Sequence, residues 1–155
     1  MDFADFDLQS ASEAGTWIHL DLDGPLYRQA DDRIGHAVTD RPCRVHLRGM
    51  VSSGVIDIIR HIERLEMAHQ ARLGRAKDDD IDRLVARHQE ATIEAMNRLV
   101  VAAVAGWENI IEGGRPVEAT PDAVLRIIGP KRVFFDQVYQ AILERRRFLT
   151  TAAEA

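Results

Sequence analysis

From Trp17 to Leu22 apolar and polar residues alternate, with Ile18, Leu20 and Leu22 on one side and Trp17, His19 and Asp21 on the other. A period of two marks a half-buried strand, and Asp23-Gly24 suits the turn that follows it. A second short strand is predicted over 44–48, where Val45 and Leu47 alternate with His46 and Arg48. Between the two, Arg28 to Pro42 is mostly polar and reads as a loop with room for a broken third strand. The front of the chain therefore predicts a small sheet or hairpin.

From Ser52 the period becomes helical. Ser52 or Ser53 can accept a hydrogen bond from the free backbone N–H groups of a first turn. Val55, Ile58, Ile59, Ile62 and Leu65 form an apolar stripe at three-to-four spacing, and Arg60, Glu63, Arg64 and Glu66 cover the other face. Gly74 is expected to end this helix in a left-handed conformation. Asp78, Asp79 and Asp80 then suit a helix N-terminus, where the free N–H groups and the dipole favour carboxylates. Ile81, Leu84, Val85, Thr92, Ala95, Met96, Leu99 and Ala103 continue as the stripe of a long helix, closed by Gly106 and Trp107. The two helices predict an antiparallel hairpin.

Gly113-Gly114 and Pro116 mark a turn, and Thr120-Pro121 supplies an N-cap followed by a first-turn proline. This third helix stops at Gly129-Pro130. A fourth starts near Lys131 with Phe134, Val138 and Ile142 on one face, and Arg145, Arg146 and Arg147 fall in its final turn. The predicted fold is α+β and mainly α, with a small N-terminal β-hairpin or sheet, a helical hairpin and two C-terminal helices. Residues 1–15 read as a flexible acidic arm, because Asp2, Asp5, Asp7 and Glu13 interrupt Phe3, Phe6 and Leu8 too often for a core. The aromatic–acidic spacing of that arm also suits docking on a partner. Residues 16–155 form one domain, strand-rich over 16–50 and helical over 51–155.

Length agrees with a single domain, since 155 residues bury one sizeable core. A net charge of -5 gives no general attraction to nucleic acid or to an anionic membrane. Cys43 is the single cysteine, so no internal disulfide forms, which suits a reducing cytoplasm. The longest apolar run, Leu99 to Ala105, is far short of the ~20 residues of a bilayer span. No signal-like pattern precedes it, and a soluble cytoplasmic protein is expected.

Candidate chemistry is sparse. The run Ile18 to Gly24 ends in D-x-D-G and is similar to the first motif of haloacid-dehalogenase-like phosphatases. That resemblance implies Asp21 as nucleophile, Asp23 as general acid and Mg²⁺ between carboxylate and phosphate, although Pro25 replaces the usual Thr. The plain alternative is a β-turn, for which Asp-Gly is well suited. Cys43 and His46 make a C-x-x-H fragment without a second pair, and His61, His69 and His88 are never four apart. No nucleophile elbow, P-loop or dinucleotide fingerprint is present. The expectation is a protein that is not an enzyme and uses no metal or cofactor.

The C-terminal block is more specific. Trp107 itself reads as a large side chain that buries its ring and satisfies its N–H locally. Its surroundings run from Val104 to Ile110 (VAGWENI), through Gly114-x-Pro116 and Thr120-Pro121, to Phe134, Gln137-Val138 and a terminal Phe148. This order resembles the tail assembly chaperone family of long-tailed phages and prophages. Arg147 stands where that family usually has Asn, and Val124 with Ile127-Ile128 replaces a leucine pair. Gly49 to Ser52 matches the G-x-x-S step into the helical hairpin. The resemblance implies a non-catalytic protein of the bacterial host cytoplasm that binds the tape measure protein and the tail tube protein. A further copy of the chain is also considered as a partner; nucleic acid and membrane are not. It marks Trp107, Asn109, Ile110, Pro116, Phe134, Gln137 and Phe148 as motif residues and candidate partner contacts. A structural protein of the tail or head–tail connector is the alternative, and a small phosphatase the lesser one.

Overall fold

The alternating segment at Trp17 becomes one edge of an antiparallel sheet whose middle strand is the predicted 44–48 segment. A computed structural model describes residues 6–36 and 40–154, the last five by backbone only. The elements are α1 (Leu8–Ala14), β1 (Thr16–His19), β2 (Tyr27–Arg28), β3 (Ile34–Gly35), β4 (Arg44–Leu47), α2 (Ser53–Leu73), α3 (Asp78–Ala103) and β5 (Val104–Glu108). They are followed by β6 (Ile111–Glu112), β7 (Arg115–Pro116), α4 (Pro121–Ile128), α5 (Phe135–Leu143) and α6 (Arg145–Glu154). The fold is mixed α+β and mainly α, as the sequence predicts.

The main sheet has the order β1-β4-β5, and both pairs are antiparallel. Ile18, Val45 and Trp107 lie side by side on its inner face, next to Thr16, Leu47 and Val104. Trp17, His46 and Gly106 share the outer face with His19, Arg44 and Glu108. Leu22, expected on the inner side, lies beyond the strand and is exposed.

Strand β5 corrects the expectation that the long helix closes at Gly106 and Trp107. The helix ends at Ala103, and the chain crosses straight into the sheet. Leu47 faces Val104 and His46 faces Gly106, so Ala105 is an extra residue in a β-bulge. The bulge lets Val104 and Trp107, three positions apart, face the same core. That spacing imitates one helical turn, and a period rule reads it as helix.

The hairpin of α2 and α3 is thus inserted between two neighbouring strands. Its base is tied by the Arg48 N–H, which donates to Ala103 O at 2.7 Å, and by the Arg48 guanidinium, which donates to Ala102 O at 3.3 Å. Asp78, Asp79 and Asp80 occupy the first turn of α3, as expected from the dipole. Gly74, however, has a right-handed φ of -62°, so the first helix ends without the left-handed cap. Ser52 does not accept a capping bond; its hydroxyl donates to Gly49 O at 2.8 Å. The free N–H of Ser53 is instead taken by the carboxylate of Glu13 in α1.

That contact also corrects the reading of 1–15 as a flexible arm. Residues 8–14 form a helix capped by Asp7, whose carboxylate accepts from the Ser10 N–H at 3.0 Å, and Ala11 and Ser12 are buried. Residues 1–5 of the expected arm lie outside the described ones. Gly49 sits under α1, where a methyl group in place of its hydrogen would stand 2.5 Å from Ser12 Oγ. The absence of a side chain there lets α1 close over the hairpin base.

The C-terminal part holds three helices where two are predicted. Thr120 caps α4 as expected, its hydroxyl accepting from the Ala123 N–H at 3.3 Å, with Pro121 in the first turn. Helix α5 buries Val138, Ala141 and Ile142. Continued straight, it would turn Arg145 and Arg146 onto that same buried stripe. The chain breaks at Glu144, and α6 leaves all three arginines exposed while burying Phe148 to 1% exposure. The arginines therefore begin a helix rather than end one, and the favourable dipole expected for them is reversed. Arg147 pairs with Glu144 at 2.8 Å.

Candidate functional site

The motif residues of the C-terminal block are mostly fasteners of the fold. Trp107 is half-buried against the core, and its indole N–H donates to Val117 O at 2.6 Å, the local satisfaction expected of it. Asn109 takes a left-handed φ of 59°, a conformation that short polar side chains tolerate best. Its side-chain amide donates to Pro42 O at 2.9 Å, and its own carbonyl accepts from the Cys43 thiol at 3.3 Å. Burial pushes that thiol up to about 11. Ile110 is buried in the core, and Phe134 packs against it. Gln137 reaches across from α5 to hold the end of β1, donating to His19 O at 2.9 Å and accepting from the Asp21 N–H at 3.1 Å. Of the seven, Pro116 alone is exposed, in β7 opposite Ile111. Ile110 and Phe148 are closed to a partner in this conformation.

Asp21 and Asp23 form a turn. The Gly24 N–H donates to Asp21 Oδ1 at 3.1 Å, Asp21 bridges to Pro25, and Asp23 has a φ of 54°. The strand they follow pairs only in antiparallel fashion, whereas the phosphatase resemblance implies parallel strands linked by helices. Cys43 is buried, while His46 lies on the outer sheet face stacked on Trp17, so the C-x-x-H fragment does not converge. Among the described residues no three His, Cys, Asp or Glu side chains are placed to hold a metal ion.

Two surfaces remain that sequence reading did not assemble. On the outer sheet face Trp17 is 41% exposed, its ring stacked on His46 at 4.9 Å and covered by the Arg44 guanidinium at 5.1 Å. Arg44 also pairs with Glu108 on the neighbouring strand. Cross-strand register creates this cluster, and nothing local in the sequence announces it.

The second surface is the distal half of the hairpin. The core takes Val55 and Ile58 from α2 and Leu99, Val100 and Ala103 from α3, so the helices beyond Leu65 and before Ala91 lie outside it. There Met67 is 73% exposed, and Ile81 is also exposed. His69 and His88 stack face to face between the helices at 3.9 Å. His88 shares a 2.9 Å hydrogen bond with Glu66, whose carboxyl is held below its usual range by the Gln70 amide and by His88. Leu65, Leu84 and Ala91 line a groove of about 300 Å³ beside this pair, rimmed by Arg72 and Arg87. A second depression of about 380 Å³ continues from Arg72 and Leu84 to Arg75, Lys77 and Arg83. Such a groove can take an apolar side chain while its rim meets negative charge. The histidine pair depends on the register of two helices, which single-helix spacing does not reveal.

Comparison of the chain with protein-family models, curated proteins and solved structures finds no match. No helix among the described residues is long and apolar enough to cross a membrane.

Proposed function

We propose that this chain is a non-catalytic tail assembly chaperone of a long-tailed phage or prophage. It binds the tape measure protein, and the tail tube protein, in the cytoplasm of the bacterial host. Family assignment rests on the order of residues from Val104 to Phe148. The observation that carries the binding role is the distal half of the hairpin, where two helices lie outside the shared core with apolar residues on their surface. A hairpin of this kind offers an amphipathic helix a place to lay its apolar face, and so keeps a long helical client from self-association. Rooting both helices between adjacent strands holds that surface in a fixed orientation.

Co-expression tests the reading. A tape measure fragment that is insoluble alone should become soluble and co-purify with this chain. Failure to form a complex with either the tape measure or the tube protein would overturn it. Presence of the chain in purified particles at fixed stoichiometry would replace it with a structural role in the tail.

A further inference from the structure

Helix α1 joins β1 through Gly15 alone, which takes a left-handed φ of 81°. Glycine enters that region without steric penalty, so the joint is a hinge about which α1 can swing while the strand stays paired. With seven residues α1 is far below the length at which a helix holds itself in water. It stays in place by its contacts.

Those contacts are few. Ala11 and Ser12 are its buried residues. The exposed Glu13 carboxylate takes the Ser53 N–H, the Gly49 N–H donates to Ser12 O at 3.0 Å, and a His46 ring nitrogen lies 3.0 Å from Ala14 O. One feature works against closure. The Ser12 hydroxyl is fully buried and makes no hydrogen bond. Such a group carries its desolvation cost while α1 is docked and regains water when α1 lifts away.

Beneath the helix lies Phe148. The Ser12 side chain and Phe148 Cδ2 both come within 3.2 Å of the point where a methyl group on Gly49 would stand. Helix α6 rests on α1 more than on any other element, and Phe148 is 1% exposed.

We propose that α1 is a strap that opens about Gly15 as a unit, with the rest of the fold intact, and that its closure controls access to Phe148. The unpartnered Ser12 hydroxyl sets the balance, because it weakens the closed state and leaves the open one untouched. The proposal concerns the chain alone and does not depend on the client reading.

Thiol labelling of the full chain tests it, with each rate referred to the same site in denaturant. Ser12→Cys places a thiol of nearly the same shape under the strap, and the buried Cys43 is the reference in the same molecule. The thiol at position 12 should react about a hundredfold faster than Cys43 or more, since local opening needs less free energy than opening the core. Adding Glu13→Gln should speed it by about threefold or more and leave Cys43 slow. Ser12→Ala should slow amide exchange in 8–14 by about tenfold, beyond the roughly twofold that the helix propensity of alanine supplies. Phe148→Cys should label in step with Ser12→Cys and respond alike to Glu13→Gln. Should Phe148→Cys change the circular dichroism, amide exchange over 146–149 in Glu13→Gln reads the same access and should quicken. A thiol at position 12 as slow as Cys43 would overturn the proposal. So would exchange in 8–14 that Ser12→Ala leaves within twofold, or a Phe148 position indifferent to Glu13→Gln.

Discussion

Gln137 donates its side-chain amide to the carbonyl of His19 at 2.9 Å, joining residues 118 positions apart. Its amide oxygen accepts from the Asp21 N–H in turn, so one side chain on α5 fixes the end of β1 and the start of the following turn. Gln137→Ala removes both bonds and leaves the part-buried His19 carbonyl without this partner, while the exposed Asp21 N–H turns to water. The expected cost is about 1–3 kcal/mol of stability, read as a lower denaturation midpoint at unchanged denaturant dependence. An unchanged midpoint would show that water replaces the amide fully.

Trp107 separates packing from hydrogen bonding. Trp107→Phe keeps most of the ring area and removes the donor to Val117 O, for an expected loss of about 1 kcal/mol. Trp107→Ala also removes the half-buried ring beside the Ala105 bulge and should cost about 3 kcal/mol, the low end for a large aromatic. Thermal melts of both variants check the order. Equal losses would place the whole contribution in the hydrogen bond.

Acid should loosen α1 before the rest of the fold. The Ser53 N–H and hydroxyl, with the Arg48 charge, hold the Glu13 carboxyl below its ordinary value. A carboxylate with a depressed folded pKa stabilises above its unfolded pKa, and that contribution disappears as pH falls through the folded one. Amide exchange in 8–14 should therefore quicken below the ordinary glutamate range while exchange in β4 stays slow. In Glu13→Gln the 8–14 exchange should lose most of this pH dependence. An 8–14 response that persists in the variant would assign it to another group, such as Asp7.

Cys43 tests whether the core around the sheet is closed. The thiol is fully buried, is raised by burial to about 11 and lies 3.3 Å from Asn109 O. Thiolate is the reactive form, so alkylation at neutral pH should be very slow in the native protein and fast in denaturant. Rapid native labelling would mean that β4 opens readily.

Much of the architecture is legible in the chain, and the failures share a cause. The stripes from Val55 to Leu65 and from Ile81 to Ala103 report helices, since each buries one face against a single neighbour. Thr120-Pro121 reports a helix start because the capping chemistry is local. Strand β5 is missed because a bulge at Ala105 gives Val104 and Trp107 a helical spacing. The Arg145 to Arg147 triplet misleads because the break at Glu144 is set by the burial of Phe148, which local charge does not encode. Helix α1 is missed because its stability comes from contacts with Gly49 and Ser53, about forty residues away. The candidate surfaces follow the same rule. Arg72 and Arg87, far apart in the sequence, meet beside His69 and His88 only through the pairing of α2 with α3.

Hydrogen exchange of the chain, alone and with a tape measure fragment, reads out whether the hairpin holds the client. Binding should slow exchange in the distal hairpin, from about Ile59 to Ala91, and leave β4 and the buried turn of α5 unchanged. Absence of protection anywhere, or protection confined to regions outside 59–91, would contradict the account of the hairpin as the surface that holds the client.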